Sequence, residues 1–174
     1  MAWGLALVLL VVLAARALGW WSARMPARAP GLVDGALAPC PATPNCVCSE
    51  ATHAADAPHY LAPLAPLLPP ARWPAIVEAV RAAGGDVVTA RDGYLHATFR
   101  TPLLGFVDDV ELRLAADALH WRSASRVGYS DLGANRRRLE SLRTRIMATP
   151  GTSPAPLQHE PRNDEPPADR AGEP

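Results

Sequence analysis

The stretch VDDVELRL at residues 107–114, followed by AADA at 115–118 and LHWRSAS at 119–125, decides the fold. Apolar and charged residues alternate within it with a period of two, which is typical of β-strands that bury one face. A two-residue turn at Ala116-Asp117 places Leu112 opposite Trp121 and Glu111 opposite Arg122. In this register the apolar pairs share one face and the charged pairs share the other, so the pattern predicts an antiparallel hairpin.

The flanking segments extend this hairpin into an α+β fold. The four predicted strands are Asp86 to Arg91, Tyr94 to Thr101, Val107 to Leu114 and Ala118 to Ser125. Apolar residues at helical spacing predict a helix over 73–83, ended by Gly84-Gly85, and an amphipathic helix over 132–147 with Ser130 or Asp131 as N-cap. We therefore predict a four-stranded, mainly antiparallel sheet with helices packed on one face.

The N-terminal segment predicts a membrane span. A helix over residues 2–21 is about 30 Å long, which matches a bilayer core, and Trp3 and Trp20-Trp21 lie where interfacial aromatic residues are found. We predict residues 1–21 as one transmembrane anchor that attaches the chain to the membrane. The alternative is a cleaved signal peptide, with Ala17-x-Gly19 as the cleavage site.

Composition divides the remaining chain into three parts. Residues 22–39 are rich in Pro, Ala and Gly and are predicted to form a linker. Residues 40–148 form the predicted α+β domain. Residues 149–174 contain seven prolines and five acidic residues, and we predict a disordered tail there, because such a segment buries too little apolar surface to fold.

The charge of the chain excludes a general nucleic-acid binder. Its 17 basic residues are all arginine and are balanced by 17 acidic residues, whereas binding to phosphates needs a net basic surface. Seven arginines lie between Arg122 and Arg145. Of these, the run 136–138 is interpreted as a solvated helix face in preference to a contact with anionic lipid.

Three cysteines lie within nine residues, at Cys40, Cys46 and Cys48. Prolines between them favour a tight turn, and we favour a Cys40–Cys46 disulfide in an oxidising compartment, with Cys48 left over. The alternative is a zinc site that also uses His53 and His59, although the spacing C-x5-C-x-C matches no common zinc motif. Arg16, Arg24 and Arg28 follow the uncharged stretch 1–15 and favour a cytoplasmic domain instead, by the positive-inside rule.

The segment that joins the last strand to the last helix is a candidate anion site. Hydroxyl groups and two arginines precede a helix start there, and such groups bind phosphate, sulfate or carboxylate. The candidate ligand-binding residues are Arg122, Ser123, Ser125, Arg126, Tyr129, Ser130, Asp131 and Asn135. The structural alternative pairs Arg122 and Arg126 with Glu111, Asp108 or Asp109, while Ser130 and Asp131 cap the helix.

A second candidate is the acidic cluster Asp108, Asp109 and Glu111, which with Arg122 would suit an enzyme or a divalent cation. Strand alternation puts Asp108 on the opposite face from the other two, so a charge ladder with Arg100, Arg113 and Arg122 is favoured. The sequence has no nucleophile, phosphate-loop or dinucleotide motif, and we assign no catalytic residue, metal ligand or cofactor. The alternatives for the apolar loop 103–106 are that it dips toward the membrane, that it lines a hydrophobic pocket or that it packs on the helices.

Four blocks of the sequence resemble the family of domain of unknown function 1499. They are Asp34-Gly35, Pro39 to Val47, Gly105 to Glu111 and Arg122 to Arg138, and the resemblance covers roughly 32–145. It implies a small, exported or membrane-anchored bacterial protein with relatives in plastids and no established activity. The family usually has Ser at position 48, which supports Cys40 and Cys46 as the disulfide pair.

Together these features predict a single-pass bacterial membrane protein with its domain on the periplasmic side. We expect a non-enzymatic domain that binds a small anion or a partner protein of the cell envelope. The alternatives are an enzyme that uses the acidic cluster and a structural scaffold at the membrane surface.

Overall fold

A computed structural model describes residues 2–65, 70–91 and 93–149. In these ranges the helices are α1 (Ala2–Ser22), α2 (Trp73–Ala82) and α3 (Ala134–Ala148). The strands are β1 (Leu32–Val33), β2 (Ala36–Leu37), β3 (Cys46–Cys48), β4 (Asp86–Arg91), β5 (Tyr94–Arg100), β6 (Val107–Leu114) and β7 (Leu119–Ser125). Strands β1 and β2 form a small hairpin, and the other five form an antiparallel main sheet in the order β3-β7-β6-β5-β4.

The α+β prediction is confirmed, with one more strand in the described main sheet than the four expected. The additional strand is β3, whose three residues pair with 122–124 of β7. Three residues are too few to show a period-two pattern, and β3 forms because its backbone groups pair with those of the edge of β7.

The predicted register of the central hairpin is confirmed. Leu112 lies opposite Trp121, and Glu111 lies opposite Arg122. Leu112 and Trp121 belong to the buried core together with residues of α2 and α3. This register separates an apolar face, covered by the helices, from a charged face.

Helix α3 begins two residues later than predicted, at Ala134. The backbone reverses just before it, because Leu132 and Gly133 have φ angles of 53° and 79°. The N-cap position is Gly133, but the Asp131 carboxylate still accepts hydrogen bonds from the backbone N–H groups of Gly133 and Asn135, at 3.0 and 2.7 Å. Asp131 therefore satisfies helix-terminal donors from outside the N-cap position.

The charged face of the sheet is covered by residues 22–39, called here the cover segment, which was predicted to form a linker. The backbone N–H of Arg28 donates to Asp109 at 2.6 Å, and that of Gly31 donates to Glu111 at 3.0 Å. A disulfide joins Cys40 to Cys46 just after this segment, as predicted, and the free thiol of Cys48 is buried.

Helix α1 contains the segment Trp3–Ser22, with a mean hydropathy of 2.0, which is long and apolar enough to span a membrane. An anchor and a signal peptide both meet this criterion.

The C-terminal end of α1 contacts the loop formed by residues 101–106, called here the 101–106 loop: Arg16 donates to the carbonyl oxygen of Leu103 at 2.8 Å. Gly19 allows this approach, since a Cβ there would overlap the Leu104 carbonyl. The predicted tail lies outside the described residues from 150 onward.

Candidate functional site

The charged face of the main sheet holds a buried network of ion pairs beneath the cover segment. Arg122 and Glu111 are almost completely buried and are 3.0 Å apart, from Nη1 to Oε2. Arg126 binds both carboxylate oxygens of Asp109, with Nε at 2.8 Å and Nη2 at 2.9 Å. Both arginines of the predicted anion site are therefore already paired with carboxylates, as the structural alternative proposed.

Asp109 is strongly stabilised in its ionised form. Burial alone would raise the pKa of its carboxyl group, but hydrogen bonds from His96, Arg126 and the backbone N–H of Arg28 outweigh burial and lower the pKa to about 2. Burial and the neighbouring Glu111 raise the pKa of Tyr94, whose hydroxyl donates to Glu111 at 2.8 Å. The network therefore keeps Asp109 ionised and Tyr94 protonated.

The low pKa of Asp109 makes the fold sensitive to acid. A pKa of about 2 in the folded state and about 3.9 in the unfolded state gives a stabilisation that is complete above pH 4 and is lost as the pH falls toward 2. The difference corresponds to about 2–3 kcal/mol. We expect the full chain in detergent to lose this much free energy of unfolding between pH 5 and pH 2, measured by urea denaturation.

The variant Asp109→Asn is expected to lose this part of the pH dependence. Asp86→Asn is the matched control, because Asp86 is exposed at the start of β4. An Asp109→Asn variant with the same slope of stability against pH as the wild type would contradict the role given to this carboxylate.

Glu50 extends the network and was not identified from the sequence. Its carboxylate accepts hydrogen bonds from Nε and Nη2 of Arg113 at 2.9–3.0 Å and from the backbone N–H of Leu37 at 3.0 Å. His120 also lies 3.4 Å from Glu50. The predicted charge ladder paired the acidic cluster on β6 with Arg100, Arg113 and Arg122. Arg113 instead pairs with Glu50, and Arg100 donates to the carbonyl oxygen of Gly105. No local pattern marks Glu50, since its partner lies 63 residues away.

Asp108 lies on the helix-covered face, as strand alternation predicted. It pairs with Arg138 of α3 at 2.5 Å. Beside this pair, the fully buried Asn135 donates to the Asn45 carbonyl and to Ser125, both at 3.0 Å. The acidic cluster is therefore divided between the two faces of the sheet, and its carboxylates do not converge on one point.

The eight candidate ligand-binding residues are divided in the same way. Arg122 and Arg126 lie beneath the cover segment, and Ser123 shares a buried hydrogen-bond network with Asn135. Tyr129 is largely exposed. The other three candidates line a common cleft: Ser125, Ser130 and Asp131.

This cleft, called here the junction cleft, lies between the 101–106 loop and residues 125–134, and its volume is about 320 Å³. Its walls are mainly apolar: Leu104, Phe106, Val107, Val127, Leu132 and Ala134. The loop comes close to residues 125–134 because β6 lies between β5 and β7, so that the end of β5, the start of β6 and the end of β7 meet at one end of the sheet. Of these apolar residues, Leu104 and Phe106 belong to the loop for which a hydrophobic pocket was one of the alternatives, whereas Val127 and Leu132 were not identified from the sequence. Extending the strand register would have brought the two loops together.

A family model described as a protein of unknown function (DUF1499) matches residues 36–146, which is more than half of the chain. The chain belongs to the DUF1499 family. No curated protein and no solved structure is significantly similar to it. The DUF1499 region includes the disulfide loop, the main sheet, the junction cleft and most of α3, whereas α1 lies outside it.

The cysteine loop of this DUF1499 protein does not have the arrangement that the zinc alternative needs. Two of the three thiols form the Cys40–Cys46 disulfide, and His53 accepts a hydrogen bond from the backbone N–H of Cys40 at 2.9 Å. His59 lies 2.6 Å from Asp56. Within the described ranges, no group of three or more His, Cys, Asp or Glu side chains is placed to hold a metal ion.

Proposed function

We propose that this DUF1499 protein is a membrane-anchored, non-enzymatic binding domain whose ligand occupies the junction cleft. One observation carries the proposal: the cleft, at one end of the main sheet, combines apolar walls with a few polar side chains, those of Thr101, Asp108, Ser125, Ser130 and Asp131. Small-molecule sites have this composition, and a volume of about 320 Å³ lies within their range.

The charged face supports a binding function over an enzymatic one. General acid–base catalysis needs a titratable group within reach of the substrate, whereas Asp109 and Glu111 are buried and hydrogen-bonded to arginines. The hypothesis of an anionic ligand depends on Arg122 and Arg126 to bind the anion. Each of these arginines already has a carboxylate partner. We therefore expect the apolar part of the ligand to make most of the contacts in the cleft.

The disulfide supports a position on the periplasmic side of a bacterial membrane, since disulfides persist in oxidising compartments. Alkaline phosphatase fused after residue 174 tests this topology, because the enzyme is active only after export. An inactive phosphatase fusion together with an active cytoplasmic reporter fusion would contradict the exported domain.

The binding function predicts a ligand-dependent stabilisation that a blocked cleft loses. Ala134→Trp places a large side chain at the start of α3, where Ala134 lines the cleft. A bound ligand at 100 times its Kd stabilises a protein by about 2.7 kcal/mol, which for this size raises Tm by about 5–10 °C. We expect an organic extract of the source membranes to raise Tm of the detergent-solubilised wild type by about this amount, and that of Ala134→Trp by less than about 1 °C.

Ala148→Trp is the matched control, since Ala148 is exposed at the other end of the same helix. We expect this variant to respond like the wild type. Equal Tm shifts in all three proteins, or no shift of the wild type with either the organic extract or the water-soluble fraction of the cells, would contradict ligand binding in the junction cleft.

A further inference from the structure

We infer that the ligand of the junction cleft is the acyl chain of a bilayer lipid, which enters along the 101–106 loop where this loop dips into the membrane beside α1. The inference rests on the proposed function and names its ligand class. Two observations carry it: the depth of the loop along α1, and the residues Thr101 and Leu104, which the cleft shares with a pocket beside α1.

The contact between Arg16 and Leu103 sets the depth of the loop. Arg16 lies six residues before Ser22, the last residue of α1 and of its apolar segment. Six residues of helix correspond to about 9 Å along the axis. The interfacial layer of one leaflet is about 5–8 Å thick. A loop that contacts Arg16 therefore reaches the boundary of the hydrocarbon core when α1 spans the bilayer.

The loop and the opposite rim of the cleft present apolar side chains suited to that depth. Leu103 at the tip of the loop is 71% exposed, and Leu132 at the rim is 85% exposed. Leu132 is held there by a backbone with positive φ, which is rare for a leucine. Large apolar side chains exposed on both sides of a cleft suit a surface that another apolar phase covers, and we assign that phase to the bilayer that α1 would span.

The loop also connects the membrane side to the cleft directly. Thr101 and Leu104 line the junction cleft and also a second pocket that is formed with Arg16 and Trp20 of α1. The two pockets therefore meet at Thr101 and Leu104, and an acyl chain that enters beside α1 reaches the cleft along Leu104. Arg24, which stacks on Trp20 with its guanidinium carbon 3.2 Å from the ring centroid, lies where it attracts lipid phosphates.

Photo-crosslinking in nanodiscs tests this inference. The full chain is reconstituted in nanodiscs of dioleoyl phosphatidylglycerol and phosphatidylcholine, with p-benzoylphenylalanine replacing Leu103 or Leu132, and lipid adducts are measured by intact mass. Ala116 is the control position, because it is exposed in the turn after β6, at the opposite end of that strand from Val107 and the 101–106 loop. We expect at least tenfold more lipid adduct at positions 103 and 132 than at position 116.

Ala134→Trp distinguishes a lipid inside the cleft from a lipid that only touches its rim. We expect this substitution to reduce the adduct at position 132 at least fivefold and to leave the adduct at position 103 unchanged. Absence of adduct at position 132, or an adduct there that Ala134→Trp does not reduce, would overturn the inference. If the water-soluble fraction of a cell extract then still raised Tm in a cleft-dependent way, the proposed function would stand with another ligand class. If neither the organic extract nor the water-soluble fraction raised Tm, both the inference and the proposed function would be wrong.

Discussion

Replacing Arg122 by methionine is expected to lower the free energy of unfolding by about 3–5 kcal/mol, because it leaves the carboxylate of Glu111 buried without its counter-ion. Glu111 would retain the Tyr94 hydroxyl and the Gly31 N–H, which do not neutralise its charge. The measurement is urea denaturation of the full chain in mild detergent at pH 7, followed by circular dichroism.

Arg81→Met is the matched control for this variant. Arg81 also pairs with a glutamate, Glu78, but both side chains are at least half exposed. Exposed pairs contribute about 0–1 kcal/mol, so this control should remain close to the wild type. A loss below about 1 kcal/mol for Arg122→Met would mean that solvent reaches Glu111 and that the charged face is open.

Trp121→Ala is expected to be the most damaging substitution in the core, at about 3–5 kcal/mol. Trp121 is completely buried, and its indole N–H donates to the carbonyl of Leu61 at 3.1 Å. The substitution removes the contacts of the ring with the helices and leaves a cavity between the sheet and α3. The same denaturation assay measures the loss.

Trp121→Phe separates the two contributions of this side chain. Phenylalanine keeps most of the apolar contact but loses the hydrogen bond to Leu61, so we expect a loss of about 1–2 kcal/mol. If the phenylalanine and alanine variants were equally unstable, the hydrogen bond and not the packing would dominate at this position.

The central hairpin could be predicted from the sequence because its physics is local. Alternation over 107–125, combined with a two-residue turn at Ala116-Asp117, gives the observed register, with Leu112 and Trp121 on one side and the charges on the other. The same alternation correctly separated Asp108 from Asp109 and Glu111. Period-two patterning therefore predicted the sheet and the division of the acidic cluster.

The role of the cover segment could not be predicted in this way. Its Pro, Ala and Gly content is typical of a linker, and its contacts with the sheet are made by backbone N–H groups, which every residue except proline carries. The N–H of Arg28 meets Asp109, and that of Gly31 meets Glu111, across about 80 residues of sequence. Only the folded chain brings these groups together.

The arrangement of the candidate anion-site residues also could not be predicted from the sequence, because it depends on how the chain folds. Arginines and hydroxyl groups that are adjacent in sequence between Arg122 and Asn135 are divided by the sheet between its two faces. The cleft that the fold does form depends on apolar residues such as Phe106 and Val127, which carry no chemical motif. Residue chemistry therefore indicated the right segment of the chain but not the part of it that lines a cavity.

The most direct test of the account is a native mass spectrum of the full chain released from membrane-derived nanodiscs, recorded for the wild type, Ala134→Trp and Ala148→Trp. We predict one bound molecule of lipid mass on the wild type and on Ala148→Trp, reduced at least tenfold on Ala134→Trp. A wild-type spectrum without any bound small molecule, or equal occupancy in all three proteins, would contradict the assignment of the junction cleft as the binding site.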